Sequence, residues 1–535
     1  MKSCFLLSLI VLLSVPLSAQ INFSDTNTTA SQVSIAISNA GTYGNAFRGY
    51  RDGTGNASGE YPRGSSIEHL YQGGFWVGGV RTDGTTLVST SAIDLPQGYG
   101  PGRAGCEFTF PANDPLQLRS NLPNNPNFDI AAVSHEDIIT EITDANTVEP
   151  VTGTSIPQHT TPMGLSVRQE VYNWGFAASN FFVVVDLTLT NNGSHTFDSL
   201  FVGLYNNTVV RNVNVTPAGA GGSAFYNKGG NGYMDDLHMA YGYDAAGDTG
   251  STESYVGQVF LGSEDKYGFH HPDIPNFQNR ISGLAEAEPL KLHYNTWEFN
   301  CGNCPAPFFA PGNDDLRFQY LSAGINHNPC WDNPGGAPCQ GGLNLDIQNV
   351  INQPGNRSDL VGAGPFKTFA PGDEVKVTFA YVFAPKQEDG QPNSVNSAFH
   401  RANLITNVQK VQQYFNGEDV NFNGVLDAGE DLDNDNSIDR WMASQMISVQ
   451  ESTPTLPAFM PNPIHDFLRI DLGVEEYKSL SLQVWDVNGK RMARQELQDF
   501  SSSINLPCSK WPAGLYLVHL QDEKGRIFKG KVVKE

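Results

Sequence analysis

Residues 181–190 read FFVVVDLTLT. Val183, Val185, Leu187 and Leu189 recur at every second position, while Asp186, Thr188 and Thr190 take the opposite side. A period of two belongs to a strand with one face against a core and the other turned away from it. The β-branched side chains suit a pleated surface. Upstream, residues 166–174 (SVRQEVYNW) repeat the pattern. Downstream, Asn191-Asn192-Gly193 supplies a turn and Ser199 to Asn206 a return strand. Together these segments predict one layer of a β-sandwich.

The same chemistry extends outward. Residues 68–80 (EHLYQGGFWVGGV), a turn at Arg81–Gly84 and Thr85 to Ser91 predict a hairpin with its aromatics on one face. Phe366–Phe369, a turn at Ala370-Pro371-Gly372-Asp373 and Glu374 to Ala384 (EVKVTFAYVFA) close the body. Residues 255–300 read as short strands, and 305–365 as mostly loop. Helical spacing is convincing only over 394–416, where Val395, Ala398, Phe399, Ala402, Ile405, Val408, Val411 and Phe415 recur three and four apart.

Composition agrees. The chain has 535 residues, enough for several domains. It holds 54 Gly and 32 Pro and only 16% charged residues, which favours strands joined by turns over coiled coils, helical repeats or a membrane bundle. A net charge of −24 argues against general nucleic-acid binding, because phosphates would be repelled.

The N-terminus predicts export. Lys2, the apolar run Phe5 to Leu17 and Ser18-Ala19 before Gln20 have the layout of a signal peptide over residues 1–19. The run is too short to span a bilayer of roughly 30 Å. Six cysteines follow it, and Cys301, Cys304, Cys330 and Cys339 cluster in a Gly/Pro/Asn-rich stretch. That set could bind zinc, but an exported chain favours one or two local disulfides, with connectivity open. Cys106 and Cys508 are expected to be unpaired and buried.

The sharpest chemical pattern begins at Asp419: DVNFNGVLDAGE. It places oxygen ligands at the positions of an EF-hand loop: Asp419, Asn421, Asn423, the Val425 carbonyl, Asp427 and Glu430, with Gly424 at the bend. Ca²⁺ is a hard cation that takes six to eight oxygens, and a tight loop can aim alternate residues at one centre. A second loop abuts it, with Asp431, Asp433, Asp435, the Ser437 carbonyl and Asp439, and Asn436 at the bend. Its twelfth position is Met442, so this second site should be weaker. The alternative is a solvated acidic loop. The abutting pair resembles dockerin-like and thrombospondin type 3-like calcium loops, which implies a structural, EF-hand-like site that stiffens a junction.

The last 80 residues are distinct. Residues 456–535 hold 11 Lys+Arg against 10 Asp+Glu, while the chain without them and the signal peptide carries −26. In order come Pro461-Asn462-Pro463, a strand at Phe467–Ile470, a strand at Leu480–Trp485, an Asp486-to-Gly489 turn, Gly514 and Tyr516 at the head of another strand, and a basic end from Lys529 to Lys534. Gly514 is expected to let the chain pack closely on a neighbouring strand. This order resembles the type A C-terminal sorting domain of the type IX secretion system of Bacteroidota. The resemblance implies a seven-stranded sandwich, engagement with the type IX machinery, cleavage of the domain, and attachment to surface lipopolysaccharide or release. Gly73–Gly79 and Gly364-Pro365-Phe366 also resemble exported proteins of those bacteria that carry no assigned activity.

The expected fold is mainly β, with a multi-domain sandwich body, one amphipathic helix leading into calcium loops, and an immunoglobulin-like sorting sandwich. Expected boundaries are 20–160, 161–393, 394–449, a linker at 450–457, and 458–535. HExxH, GxSxG, P-loop and dinucleotide fingerprints do not occur. His135-Glu136-Asp137 and His270-His271-Pro272-Asp273 read as polar turns. The functional expectation is a non-catalytic, adhesin-like surface protein with structural calcium. The alternative is a secreted hydrolase of polysaccharide or protein, whose carboxylate pair would need no local motif.

Overall fold

The computed structural model describes residues 24–45, 56–92, 107–109, 116–148, 155–156, 159–213, 226–246, 254–270, 290–301, 303–304, 309–324, 349–388, 396–419, 426–427, 429–431, 438–441, 458–460, 464–486, 490–522 and 527–534. The expected signal peptide and the 450–457 linker lie outside them. Two compact units divide the chain, Met1–Met442 and Ala443–Glu535.

The first unit contains two antiparallel sheets. One runs through Gln72–Arg81, Phe197–Asn207, Arg357–Phe369 and Lys291–Glu298, with the short strands of 25–68 and 211–212 continuing its other side. The second runs through Ser254–Asp265, Glu374–Pro385, Phe182–Asn191, Leu165–Asn173 and Glu136–Thr143. Val183, Val185, Leu187 and Leu189 of the second sheet share one buried core with Phe75, Leu200, Val202 and Val361 of the first. Strands from both sides of residue 160 enter each sheet, so the expected 160/161 division falls inside this sandwich.

Two sequence readings are corrected here. Phe182–Asn191 and Phe197–Asn207 are not a hairpin: the turn at 192–196 carries the chain from one sheet to the other. The turn at 370–373 does the same, and Asn191 ties the two crossings together, donating N–H to the Asp373 carbonyl at 3.1 Å and Nδ2–H to the Phe369 carbonyl at 3.0 Å. Alternating hydrophobicity shows that a strand has a core face, but it does not say whether the next strand lies beside it or across the core. In the predicted 68–91 hairpin, which does form, Phe75 enters the shared core while Trp76 points out of the sandwich. Adjacent residues of a strand must diverge in this way.

A helix covers part of each outer face. Helix α1 (Asp314–Ser322) is capped by Asn313, whose Oδ1 accepts the Leu316 N–H at 2.9 Å. It lies on the first sheet, where its own Tyr320 joins a stack formed by Trp76, Tyr205 and Trp297. Helix α2 (Ala402–Asn416) lies on Glu374–Pro385 and Ser254–Asp265 of the second sheet. Its buried stripe is Leu404, Val408, Val411 and Phe415, with Tyr414 alongside. The helix therefore begins at 402 rather than 394. Residues 398–401 are turns, and Phe399 is 53% exposed rather than part of the stripe.

The second unit is a sandwich built from Ala458–Met460, Phe467–Asp486, Arg491–Pro507, Gly514–Asp522 and Ile527–Lys534. Five strands pair into one sheet where the resemblance implied seven; the pairing of the two long strands is interrupted between Asp471 and Glu476 and again between Val484 and Trp485. Leu468, Ile470, Leu482, Val484, Val518 and Val532 fill its core with Cys508, which is buried and unpaired.

Candidate functional site

The second sheet's outer face carries its polar half. Register places Glu170, Asp186 and Thr378 side by side, with Lys376 beside Glu264 in the adjoining row. The Lys376 Nζ lies 2.9 Å from Asp186 Oδ2, and Thr378 Oγ1–H donates to Asp186 Oδ1 at 2.8 Å. The Tyr172 hydroxyl approaches Asp186 at 3.5 Å. Burial pushes the Asp186 carboxyl above the usual carboxylate range, against the pull of Lys376. Burial would lower the Lys376 ammonium, but the charge of Asp186 outweighs it and the pKa is raised. The Tyr172 hydroxyl is pushed up by burial and then by Asp186.

Above this floor is a pocket of about 300 Å³. Phe415 from α2 and Phe269 from the Gly268–His270 strand form one part of its lining; Ile438, Arg440 and Trp441 form another, with Arg440 and Trp441 packed on those rings. The Arg440 guanidinium sits 3.8 Å from the centre of the Phe269 ring and 4.8 Å from that of Phe415, a geometry worth about 0.5–2 kcal/mol.

The second part of the lining belongs to the end of the acidic segment. The Glu418 N–H donates to the Asp439 carbonyl at 3.0 Å, and the Asp439 N–H returns to Glu418 Oε2 at 3.1 Å. Trp441 N–H then donates to the Tyr414 carbonyl at 3.1 Å. Gly417 makes this neck. Its φ is +58°, and a Cβ there would strike the Asp439 carbonyl. Trp441 also has positive φ, +59°, which is unfavourable by about 1–2 kcal/mol for a side chain of this kind. Ring packing offsets that strain: Trp174 and Phe415 both lie 5.3 Å away between ring centres, with Phe182 at 6.4 Å.

The two ends of the 419–439 segment thus meet at one closed neck. Asp419 is buried beside it, with its N–H on the Asn416 carbonyl. Glu430 Oε2 accepts the Asp427 N–H at 2.9 Å, and the Glu430 N–H bonds the Asp427 carbonyl at 3.1 Å, so positions 9 and 12 of the first loop are drawn together. Asp431 and Asp439 are half-buried. Asn421, Asn423, Val425, Asp433, Asp435 and Ser437 lie outside the described residues. Sequence reading found this loop but missed the pocket. Its only signal was Asp186, the one charged residue of the Phe182–Asn191 strand.

The other predicted residues separate cleanly. Cys301 and Cys304 form a disulfide with Cα atoms 5.5 Å apart, which removes them from any zinc site. Cys106, Cys330 and Cys339 lie outside the described residues. His135-Glu136-Asp137 does structural work. Glu136 accepts the Thr29 and Ala30 N–H groups, and Asp137 accepts those of Val133 and Ser134. His270 pairs with Asp265 at 3.0 Å.

In the tail, Asp486 closes its turn by accepting the Lys490 N–H at 2.9 Å and donating to the Lys490 carbonyl at 2.9 Å. Tyr516 is buried against Trp511, and its hydroxyl donates to the Pro512 carbonyl at 2.6 Å. Gly514 is needed for its φ of +153° and not for close packing, since a Cβ there would meet nothing within 4 Å. Pro461, Asn462, Pro463 and Gly489 lie outside the described residues. Residues 458–535 match the family described as secretion system C-terminal sorting domain. The chain is type IX secretion cargo. It is destined for the cell surface or the exterior, and no helix among the described residues is long and apolar enough to cross a membrane.

Comparison with curated proteins returned no match. Solved structures show distant likenesses. A DUF3244 family protein with an immunoglobulin-like β-sandwich fold from Bacteroides vulgatus is 14% identical, with a TM-score of 0.13, over 15% of this chain and 91% of its own. A polysaccharide lyase is 7% identical, with a TM-score of 0.22, over 96% of this chain and 46% of its own. Heparan sulfate lyase HepC from Pedobacter heparinus is 8% identical, with a TM-score of 0.22, over 69% of this chain and 36% of its own. At these scores none of them assigns an activity to the chain.

Proposed function

We propose that this type IX cargo is a non-catalytic, adhesin-like surface protein whose body is braced by structural calcium. The closed neck at Glu418 and Asp439 carries the reading. It presents a segment with eight carboxylates in 22 residues as a loop whose ends are already joined. An all-oxygen donor set of this density fits a hard divalent cation, which would relieve the mutual repulsion. Asp419, Asn421, Asn423, the Val425 carbonyl, Asp427 and Glu430 would hold the first ion. Asp431, Asp433, Asp435, the Ser437 carbonyl and Asp439 would hold a weaker second one. The bound ion supplies cross-linking, not chemistry: it stiffens the segment that seats Trp441. Residues 1–19 direct the chain to the periplasm, and the tail then engages the secretion machinery. Tail cleavage followed by attachment to surface lipopolysaccharide or release completes the route.

The test is thermal unfolding of the full chain in calcium and in chelator. The midpoint should fall on chelation, and Glu430→Ala should abolish more of that difference than any other single ligand change. An identical midpoint in both conditions would defeat the calcium reading. A second reading, a hydrolase of polysaccharide or protein, draws on the two carboxylates Asp186 and Glu264 at one pocket. Turnover of glycan or casein substrates by the purified chain would favour it.

A further inference from the structure

The geometry points to the pocket over Asp186 as a binding site for one uncharged, hydroxyl-rich ring, a single sugar unit of a glycan. The proposal extends the binding role above by naming its site and ligand class, and it does not depend on bound calcium.

Charge balance comes first. Asp186 faces Lys376 across 2.9 Å, and Glu264 and Arg440 line the same space, so the lining carries formal charges that sum to zero. An anionic or cationic ligand would meet as much repulsion as attraction. A wholly apolar ligand would strip water from these groups and return nothing, at a cost of several kcal/mol for a buried ion. A sugar hydroxyl both donates and accepts, so it can bridge a carboxylate and an ammonium that already hold each other.

Capacity comes second. The buried Asp186 carboxylate accepts from Lys376, Thr378 and Tyr172, while its two oxygens offer about four acceptor sites. The Lys376 ammonium has three N–H groups, and its side chain is 45% exposed, so it can reach a ligand. Shape comes third. A volume of about 300 Å³ is at the small end for ligand pockets. Phe269, Phe415, Ile438 and Trp441 supply the apolar part of the lining for the C–H groups of a ring, and Asp186, Lys376, Thr378 and Glu264 supply the polar part for its hydroxyls.

The experiment is saturation-transfer NMR on the full chain. The probes are free glucose, galactose, mannose, fucose and N-acetylglucosamine, with glucuronate and indole as charged and apolar comparisons. At least one neutral sugar should receive saturation. Its Kd should rise about tenfold or more in Asp186→Asn, the loss expected for a hydrogen bond to a charged group. Glu264→Gln, at an exposed position, should weaken binding with no change in melting, which keeps the test independent of folding. No transfer to any neutral sugar, transfer only to glucuronate or indole, or unchanged affinity in both variants would overturn the proposal. Those results would leave export and calcium untouched. Release of new reducing ends from an oligosaccharide of the bound sugar would overturn the non-catalytic reading and support sugar recognition at this site.

Discussion

The sandwich of the first unit has two outer faces, and each receives a helix to a different end. Under α1, Trp76 stacks on Tyr205 at 5.4 Å, Tyr205 on Trp297 at 5.9 Å, and Trp297 meets Tyr320 at 5.1 Å. All four are buried, and the Trp76 Nε1–H is satisfied by the Ala92 carbonyl at 2.6 Å. Under the end of α2, aromatic rings instead rim a space whose floor is ionic. Where aromatics close on one another they act as core. Where they close on Asp186 and Lys376 they leave room, because buried charges keep solvent or a ligand beside them.

This contrast can be broken from either side. The largest effect is expected on the sealed face. Trp297→Ala should cost about 3–5 kcal/mol in denaturant unfolding and leave sugar binding intact in whatever folds. Next, Gly417→Ala forces a Cβ into the neck. It should cost more than about 1 kcal/mol and make the 418–441 segment sensitive to protease before the sandwich melts. Equal protection in wild type and variant would show that the neck does not hold the wall. Arg440→Met removes a cation from two rings and should cost about 1 kcal/mol, with quenched or shifted tryptophan emission as the readout.

A pH-dependent effect lies in the interior that both faces share. Asp359 accepts from the Tyr294 hydroxyl at 2.6 Å and from Asn231, and burial raises its carboxyl to about 7. The folded chain therefore holds a proton between about pH 4 and 7 that the unfolded chain releases. Stability from this group is present below that window and declines as pH rises through 7. His69 and His293, lowered by burial to about 4, act oppositely: their contribution is lost as pH falls from 6.5 toward 4. Asp359→Asn should flatten the decline in stability between about pH 4 and 7 and leave the rest of the profile unchanged. An unaltered profile would refute the assignment.

How much of this was legible beforehand follows from what each signal encodes. Alternation at Val183–Leu189 announced a strand with a core face, and the acidic spacing from Asp419 announced a loop rich in oxygen ligands. The ordered motifs after residue 458 announced the sorting tail. Each is local, set by backbone period or by ligand spacing within about a dozen residues. The partner of each strand was not local. Phe182–Asn191 and Phe197–Asn207 pack across the core instead of pairing, and nothing in either alternation distinguishes those outcomes.

The amino-acid order alone determined the β class, the export tail and the acidic segment, because period, turn chemistry and spacing are properties of neighbouring residues. Only the tertiary structure decided that Asp186, Lys376, Phe415 and Trp441, spread over 256 positions of the chain, line one pocket. Sheet register and the Gly417 neck bring them together, and both depend on contacts between segments far apart in sequence.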